Sequence, residues 1–363
     1  MPKLALHDFH ETQNAKFAEV NGAEVVADYG DPRAEHVAIR DAAGVLDLSC
    51  RSRLCLTGTD RQKFLNGQVT NNVKDLAAGE GCYAALVNAK GRMQSDLNIY
   101  LLEHEILLDF EPGLSATVGQ RLEKYIIADD VQVVDVAPLY GLLSVQGPKA
   151  DAVAQQLDLG VGFPGKFMSL VSRKDPMLGE IYLMNLPRVG TSGFDLFVPA
   201  GALDTVVDRI GVAAMAVGGR LCGWQALEIA RIEGGVPRFG VDMDGTNLPP
   251  EAGLEERGIS YSKGCYIGQE VIARIRTYGQ VSKTLRGLRL ADGLKSLPRK
   301  GDKLLKEGRD IGFITSALAS PTWQANIALG YVRREMNHTG AELVLRTADG
   351  ESPATIVDLP LRN

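Results

Sequence analysis

RLCLTGTDRQKFLNGQV, residues 53–69, and GLLSVQGPKADAVAQQL, residues 141–157, decide the fold. Each reads as a short apolar strand, a glycine and then a helix entered through polar or proline residues. Gly58 and Gly147 mark the two turns. Asp60 and Pro148 fall near the helix N-termini, where an acidic side chain or a proline is favoured. A strand–turn–helix start that occurs twice predicts two related α+β halves, either in series or interleaved.

Working outward from the first of these, the runs GCYAALVNA, SDLNIYLL, EILLDF and VQVVDV are separated by polar and glycine-containing turns. They predict a mainly antiparallel sheet, with a helix over 116–127. The pattern changes after residue 280. KTLRGLRL, DIGFITSALAS, NIALGYVRR and ATIVDL carry turn signals between them and no helical period, which predicts a small all-β barrel or sandwich. The expected division is a first α+β half over 1–137, a second over 138–279 and the barrel over 280–363.

At 363 residues the chain exceeds the roughly 250 to 300 at which a single core stops growing, so more than one core is expected. A net charge of -6, with Lys and Arg scattered among Asp and Glu, argues against nucleic acid as the main ligand, because that binding rests on clustered cations. No stretch approaches the roughly 18 consecutive apolar residues of a membrane span, and MPKLALHDFHETQNAKF lacks the apolar core of a signal peptide. A cytoplasmic protein with no membrane partner is expected. Five cysteines, an odd number, suit a reducing compartment better than a disulfide framework.

The stretch SKGCYIGQEVIAR, residues 262–274, carries the most pointed chemistry. Cys265 lies between Gly264 and Gly268, two residues after Lys263 and ahead of a helix expected to begin near Gln269. A nearby ammonium or helix N-terminus lowers a thiol pKa, and the thiolate is the nucleophile. Lys263 is expected to be partly exposed and to poise the thiol. The glycines permit positive φ and close backbone approach. A bystander cysteine in a tight turn fits the same pattern, and chemistry alone leaves both readings open. None of the five histidines stands in a recognisable active-site context, which disfavours a Cys–His hydrolase. Cys50 and Cys55 lack the following C-x2-C of a ferredoxin pattern and read, with Cys82 and Cys222, as small apolar residues, so no metal site is predicted. There is no phosphate loop and no G-x-G-x-x-G between strand and helix. Within RVGTSGFDLFVP, residues 188–199, Asp195 sits in an apolar strand where a carboxylate is costly to bury without hydrogen bonds. Such a group suits a heterocycle with paired N–H donors. By pattern alone, a strand carboxylate turned to solvent is the commoner arrangement.

KGCYIGQE, residues 263–270, stands with FLNGQVTNNVKDLAAGEG, NAKGRM, RIEGGVPRFGVDMD and LPPEAGLEERGISYSKGCYIGQEVIAR. Over nearly the whole chain these segments resemble the folate-binding YgfZ family, relatives of the aminomethyltransferase (T-protein) of the glycine cleavage system. The signature loop takes in Lys263, Gly264, Cys265, Tyr266, Gly268, Gln269 and Glu270. The resemblance implies an α+β, three-domain cloverleaf around a central channel, a small C-terminal β-barrel, and tetrahydrofolate or a one-carbon derivative as ligand. It implies that Asp195, in GFD, takes the place of a pterin-binding carboxylate, with Arg188, Arg231 and Tyr83 also at the folate site. Where T-proteins carry two aspartates, NAKGRMQSDLNIY offers Ser95 and Asp96, so Asp96 is the single candidate for proton handling. With the signature loop, this departure turns the expectation towards an accessory protein for assembly or repair of iron–sulfur clusters in client enzymes, using Cys265 and Lys263 beside the channel. The alternative is a folate-dependent aminomethyltransferase or a related demethylase. The motif leaves the reaction itself open.

Overall fold

The computed structural model describes residues 3–190, 192–279 and 281–360. It separates into two compact units, Met1–Ala84 with Asp96–Ala230, and Ala85–Ser95 with Arg231–Asn363.

The first unit is organised on two large sheets, with a two-stranded sheet of Lys16–Val20 and Ala23–Asp28 besides. In the five-stranded sheet the spatial order is Glu80–Val87, Met93–Leu101, Ile106–Phe110, Ser52–Thr57, Gln132–Asp135. In the six-stranded sheet it is Leu170–Asp175, Gly179–Asn185, Gly193–Pro199, Tyr140–Gln146, Gly44–Asp47, Arg220–Leu221. One plan underlies both. Strand Ser52–Thr57 passes through Gly58 into helix Arg61–Gln68, and strand Tyr140–Gln146 passes through Gly147 into helix Ala150–Gln156. A three-stranded meander follows each helix, and its last strand returns antiparallel to the first strand. Both turns need glycine. Gly58 has φ +96° and Gly147 φ +130°, in the region L side chains avoid. A Cβ at Gly147 would lie 2.6 Å from the Ile39 and Ala42 carbonyls, and one at Gly58 would press closer still on the Asp130 carbonyl.

Strand alternation sorts the core into layers. Phe194, Leu196 and Val198 pack with Val153, Val207 and Ile210 beneath the helices. Phe197, on the opposite face, joins Tyr100, Leu107, Leu142 and Met184 in a layer fed by both sheets. Asp195, being two residues from Phe197, points into that shared layer, as does Asp109, two residues from Leu107.

In the second unit the expected barrel is present and closed. Its strands run in the order Lys283–Leu290, Ala325–Arg333, Arg309–Ser320, Lys303–Lys306, Glu342–Thr347, Gly350–Val357. Leu288, Ile314, Val332, Leu345 and Ile356 fill it. The unit also contains helix Gln269–Tyr278 and the hairpin tip Ala85–Ser95, so its limits differ from the division at 280 expected from composition. No helix among the described residues is long and apolar enough to cross a membrane.

Candidate functional site

Asp96 lies on strand Met93–Leu101, whose buried positions alternate with half-buried ones. Asp96, Asn98 and Tyr100 therefore share the face directed at the layer between the sheets. Tyr83, on the neighbouring strand, donates its hydroxyl to Asp96 Oδ2 at 2.9 Å, and both side chains are half-buried. Ser95 is fully buried on the opposite face. Successive strand side chains point to opposite faces, so of the two residues Asp96 faces the layer between the sheets.

Next along that face, Asn98 donates to Asp109 Oδ2 at 2.9 Å and opens a buried charge cluster. Arg51 Nε donates to Asp109 Oδ1 at 2.7 Å, and its Nη1 to Glu111 at 2.7 Å. Arg188 Nη2 bridges Asp109 Oδ2 at 2.8 Å and Asp195 Oδ2 at 2.5 Å, while its Nε reaches both Asp195 oxygens at 3.1 and 3.0 Å. Asp195 is wholly buried, not turned to solvent as the strand pattern favoured. The two carboxylates respond in opposite ways. Burial raises Asp109 but Arg51 and Arg188 outweigh it and hold the group well below the usual carboxylate range. For Asp195 burial dominates and raises the group, with Arg188 opposing. Burial likewise opposes the charge on Arg188, but Asp195 and Asp109 prevail and hold it firmly protonated.

Sequence reasoning found Asp195 and Arg188 but passed over Arg51, Asn98 and Asp109. The signal was present, since EILLDF places Asp109 in an apolar strand just as FDLFV places Asp195.

Arg231 and the signature loop belong to the second unit. Arg231 is buried, with Nη1 on Asp242 at 2.7 Å and Nη2 on Ser316 at 3.0 Å. Asp242 also accepts from Thr315 and Ser316 at 2.6 Å, so within the second unit Arg231 and Asp242 are tied to barrel strand Arg309–Ser320.

In the signature loop Cys265 is exposed, alone among the five cysteines, all of which are described. Burial pushes the Cys50 thiol up to about 12 and raises Cys55 and Cys222 as well. Lys263, expected to be partly exposed, is buried, with its ammonium 4.9 Å from the Tyr266 ring centroid. Tyr266 is itself buried, which pushes its phenol up to about 12. Gly268, φ +84°, precedes helix Gln269–Tyr278, so residues 266–268 separate the thiol from the first helical turn. Gln269 is half-buried, whereas Gly264 and Glu270 are exposed. A Cβ at Gly268 would lie 2.5 Å from the Asn88 carbonyl and 3.2 Å from Gly91 Cα, and one at Gly91 would lie 3.2 Å from Val271. NAKGRM and KGCYIGQE are thus two sides of one packed structure. Among the described residues one group, His7, Asp8 and Glu11, gathers three metal-ligand atoms within 4.8 Å, but His7 already bonds Glu24 at 2.7 Å.

The chain matches the GCVT N-terminal domain over residues 6–258 and the glycine cleavage T-protein C-terminal barrel domain over residues 283–362. The aminomethyltransferase of Shouchella clausii is 28% identical over 99% of this chain and 97% of its own length. That of Thermosynechococcus vestitus is 27% identical over 99% and 95%. In fold, the crystal structure of glycine cleavage system aminomethyltransferase T from Bartonella henselae superposes with a TM-score of 0.88 at 23% identity, over 99% of this chain and 97% of that one.

Proposed function

Because the chain belongs to the GCVT family of glycine cleavage T-protein-like folds, we propose that it binds a tetrahydrofolate in its first unit and acts on the one-carbon group that folate carries. The observation carrying this reading is the half-buried Tyr83–Asp96 pair at 2.9 Å, two residues along the strand from Asn98 and the cluster that fixes Arg188. Tyr83 offers a ring to stack on and Asp96 an acceptor. A reduced folate would supply amine nitrogens to bear the one-carbon unit. Asp96 Oδ2, which accepts a hydrogen bond from the Tyr83 hydroxyl, is the position where a proton would be held or released beside such an amine.

Two finer readings divide on the thiol. Full-length similarity to aminomethyltransferases supports transfer of an aminomethyl group, which needs folate and an acid or base but no sulfur. The other reading, a folate-dependent accessory protein for assembly or repair of iron–sulfur clusters in client enzymes, rests on the exposed Cys265 and on the single carboxylate Asp96. The Ser95 side chain faces away from Asp96, Asp195 is engaged by Arg188, and Cys265 is exposed on a glycine-braced loop. A deletion strain carrying wild type or Cys265→Ser, assayed for iron–sulfur enzymes and separately for glycine cleavage, tests the choice. Iron–sulfur activity restored by wild type alone supports the accessory reading. Glycine cleavage restored equally by both versions supports the transferase. Calorimetry showing no tetrahydrofolate binding would remove the shared premise.

A further inference from the structure

We propose that the second unit carries a binding site for an organic phosphate, in a cavity of about 680 Å³ on the outside of the barrel. Strand alternation sets its position. Val332 and Ile314 fill the barrel, so their neighbours Tyr331 and Phe313 turn outward, onto the cavity. These two rings are partners across the strand pair, with centroids 5.4 Å apart. The Lys283 ammonium stands 4.7 Å from the Tyr331 ring centroid and 5.3 Å from that of Phe313. Attraction to two ring faces holds this cation in place.

Charge defines what the cavity takes. Lys283, Arg333 and Arg334 line it, and among the described residues none of the three has an ion pair. The other two cations on the wall are engaged. Arg92 donates to the Thr246 carbonyl at 2.6 Å and lies 3.8 Å from Glu251, and Lys303 lies 3.1 Å from Asp310. Against the three remaining cations the wall offers one more carboxylate, Glu335. Asp242 and Asp244 lie off the wall, and each has its own cation: Arg231 meets the first at 2.7 Å, and the second feels Lys300 as well as Lys283. A phosphate monoester brings about 1.5 to 2 negative charges near neutral pH and three acceptor oxygens. A carboxylate brings one charge and two oxygens, so the monoester is the closer match to an ammonium and two guanidiniums. Ile311 and Phe313 add apolar surface, and the volume lies within the roughly 300 to 1,000 Å³ of small-molecule sites. The phosphate therefore arrives on an organic body rather than as a free ion.

Titration calorimetry of the full chain at low salt tests the site, with AMP, glucose 6-phosphate, inorganic phosphate and citrate as probes. The tighter of the two organic phosphates should bind about tenfold or more above inorganic phosphate and citrate. Arg333 and Arg334 are exposed, so replacing both by Gln should leave the melting temperature in place and weaken that binding by about ten- to a hundredfold, through lost charge-assisted hydrogen bonds. Organic phosphates that bind no more tightly than inorganic phosphate or citrate overturn the inference, and this wild-type comparison stands even if the double variant fails to fold. Unchanged affinity in a folded double variant overturns it too. Saturating tetrahydrofolate should leave the titration unmoved, and displacement by it would make the cavity part of the folate site and remove the separate one. The folate is assigned to the first unit and the phosphate to the second, so either reading can fail while the other holds.

Discussion

In the first sheet the meander leaves Asp96 half-buried beneath a tyrosine hydroxyl, whereas in the second the returning strand carries Asp195 into full burial against an arginine. The chain path is the same in both: strand, glycine, helix, meander. What differs is the partner that meets each carboxylate. Asp96, fourth of nine in its strand, meets a half-buried tyrosine hydroxyl, whereas Asp195, third of seven, is sealed under Arg188. The returning strand of the first meander also contains a sealed carboxylate, Asp109, and Arg188 clamps it to Asp195. The repeat thus supplies two anchors and one reachable acid.

The largest effect should come from breaking that clamp. Asp109→Asn leaves Arg51 and Arg188 without their shared anion and should cost about 3 to 5 kcal/mol in denaturant unfolding. Asp195→Asn should cost less, because it answers one arginine rather than two. The acid limb separates them further. Asp109 has a folded pKa below its unfolded value near 4, so its contribution is complete above that value and is lost as pH falls through it towards the depressed folded value. Asp195 is shifted the other way, so it favours the folded state at low pH and loses that contribution as pH rises past the unfolded value. Asp109→Asn should flatten acid destabilisation and Asp195→Asn should not. Matching acid limbs would show that the two carboxylates are equivalent.

The turns provide the next comparison. Gly58→Ala and Gly147→Ala both force a side chain into positive φ against a carbonyl and should each cost about 2 to 3 kcal/mol, with Gly58→Ala the worse. The reverse order of melting temperatures would mean that the second turn is the tighter in solution. Smaller again, Tyr83→Phe should weaken tetrahydrofolate binding by about 1 kcal/mol through the lost hydrogen bond, with little change in stability. A melting temperature that falls while affinity holds would make the pair a structural strut. The smallest expected change is chemical labelling. Iodoacetamide should reach Cys265 first, with Cys55 and Cys222 slow because burial shields them and raises their thiols, and the half-buried Cys50 slow because its thiol is raised. Lys263→Met, which removes a cation from the Tyr266 ring, should alter that order little.

Much of the fold was legible because strands, glycine turns and helix starts leave local marks, as KTLRGLRL shows by forming strand Lys283–Leu290. The charge cluster was not, because Arg188, Asp109 and Asn98 meet across sheets and no spacing in the chain announces it. Asp195 shows the limit in one residue. Its strand could be read from FDLFV, but the face it occupies depends on the sheet opposite. Lys263 is a similar case: a lysine beside a glycine reads as exposed until Tyr266 folds beneath it.

The packing of Gly268 on Asn88 and Gly91 sets the terms on which the exposed sulfur can work. Backbone already touches backbone there, so the loop cannot settle deeper over its support, and an insertion or side chain on either segment would have to be matched on the other. Cys265 is held outward on a fixed mount. Whatever reacts with it must be carried to the surface where it stands, and the size of that visitor is limited by the approach from solvent rather than by the loop beneath.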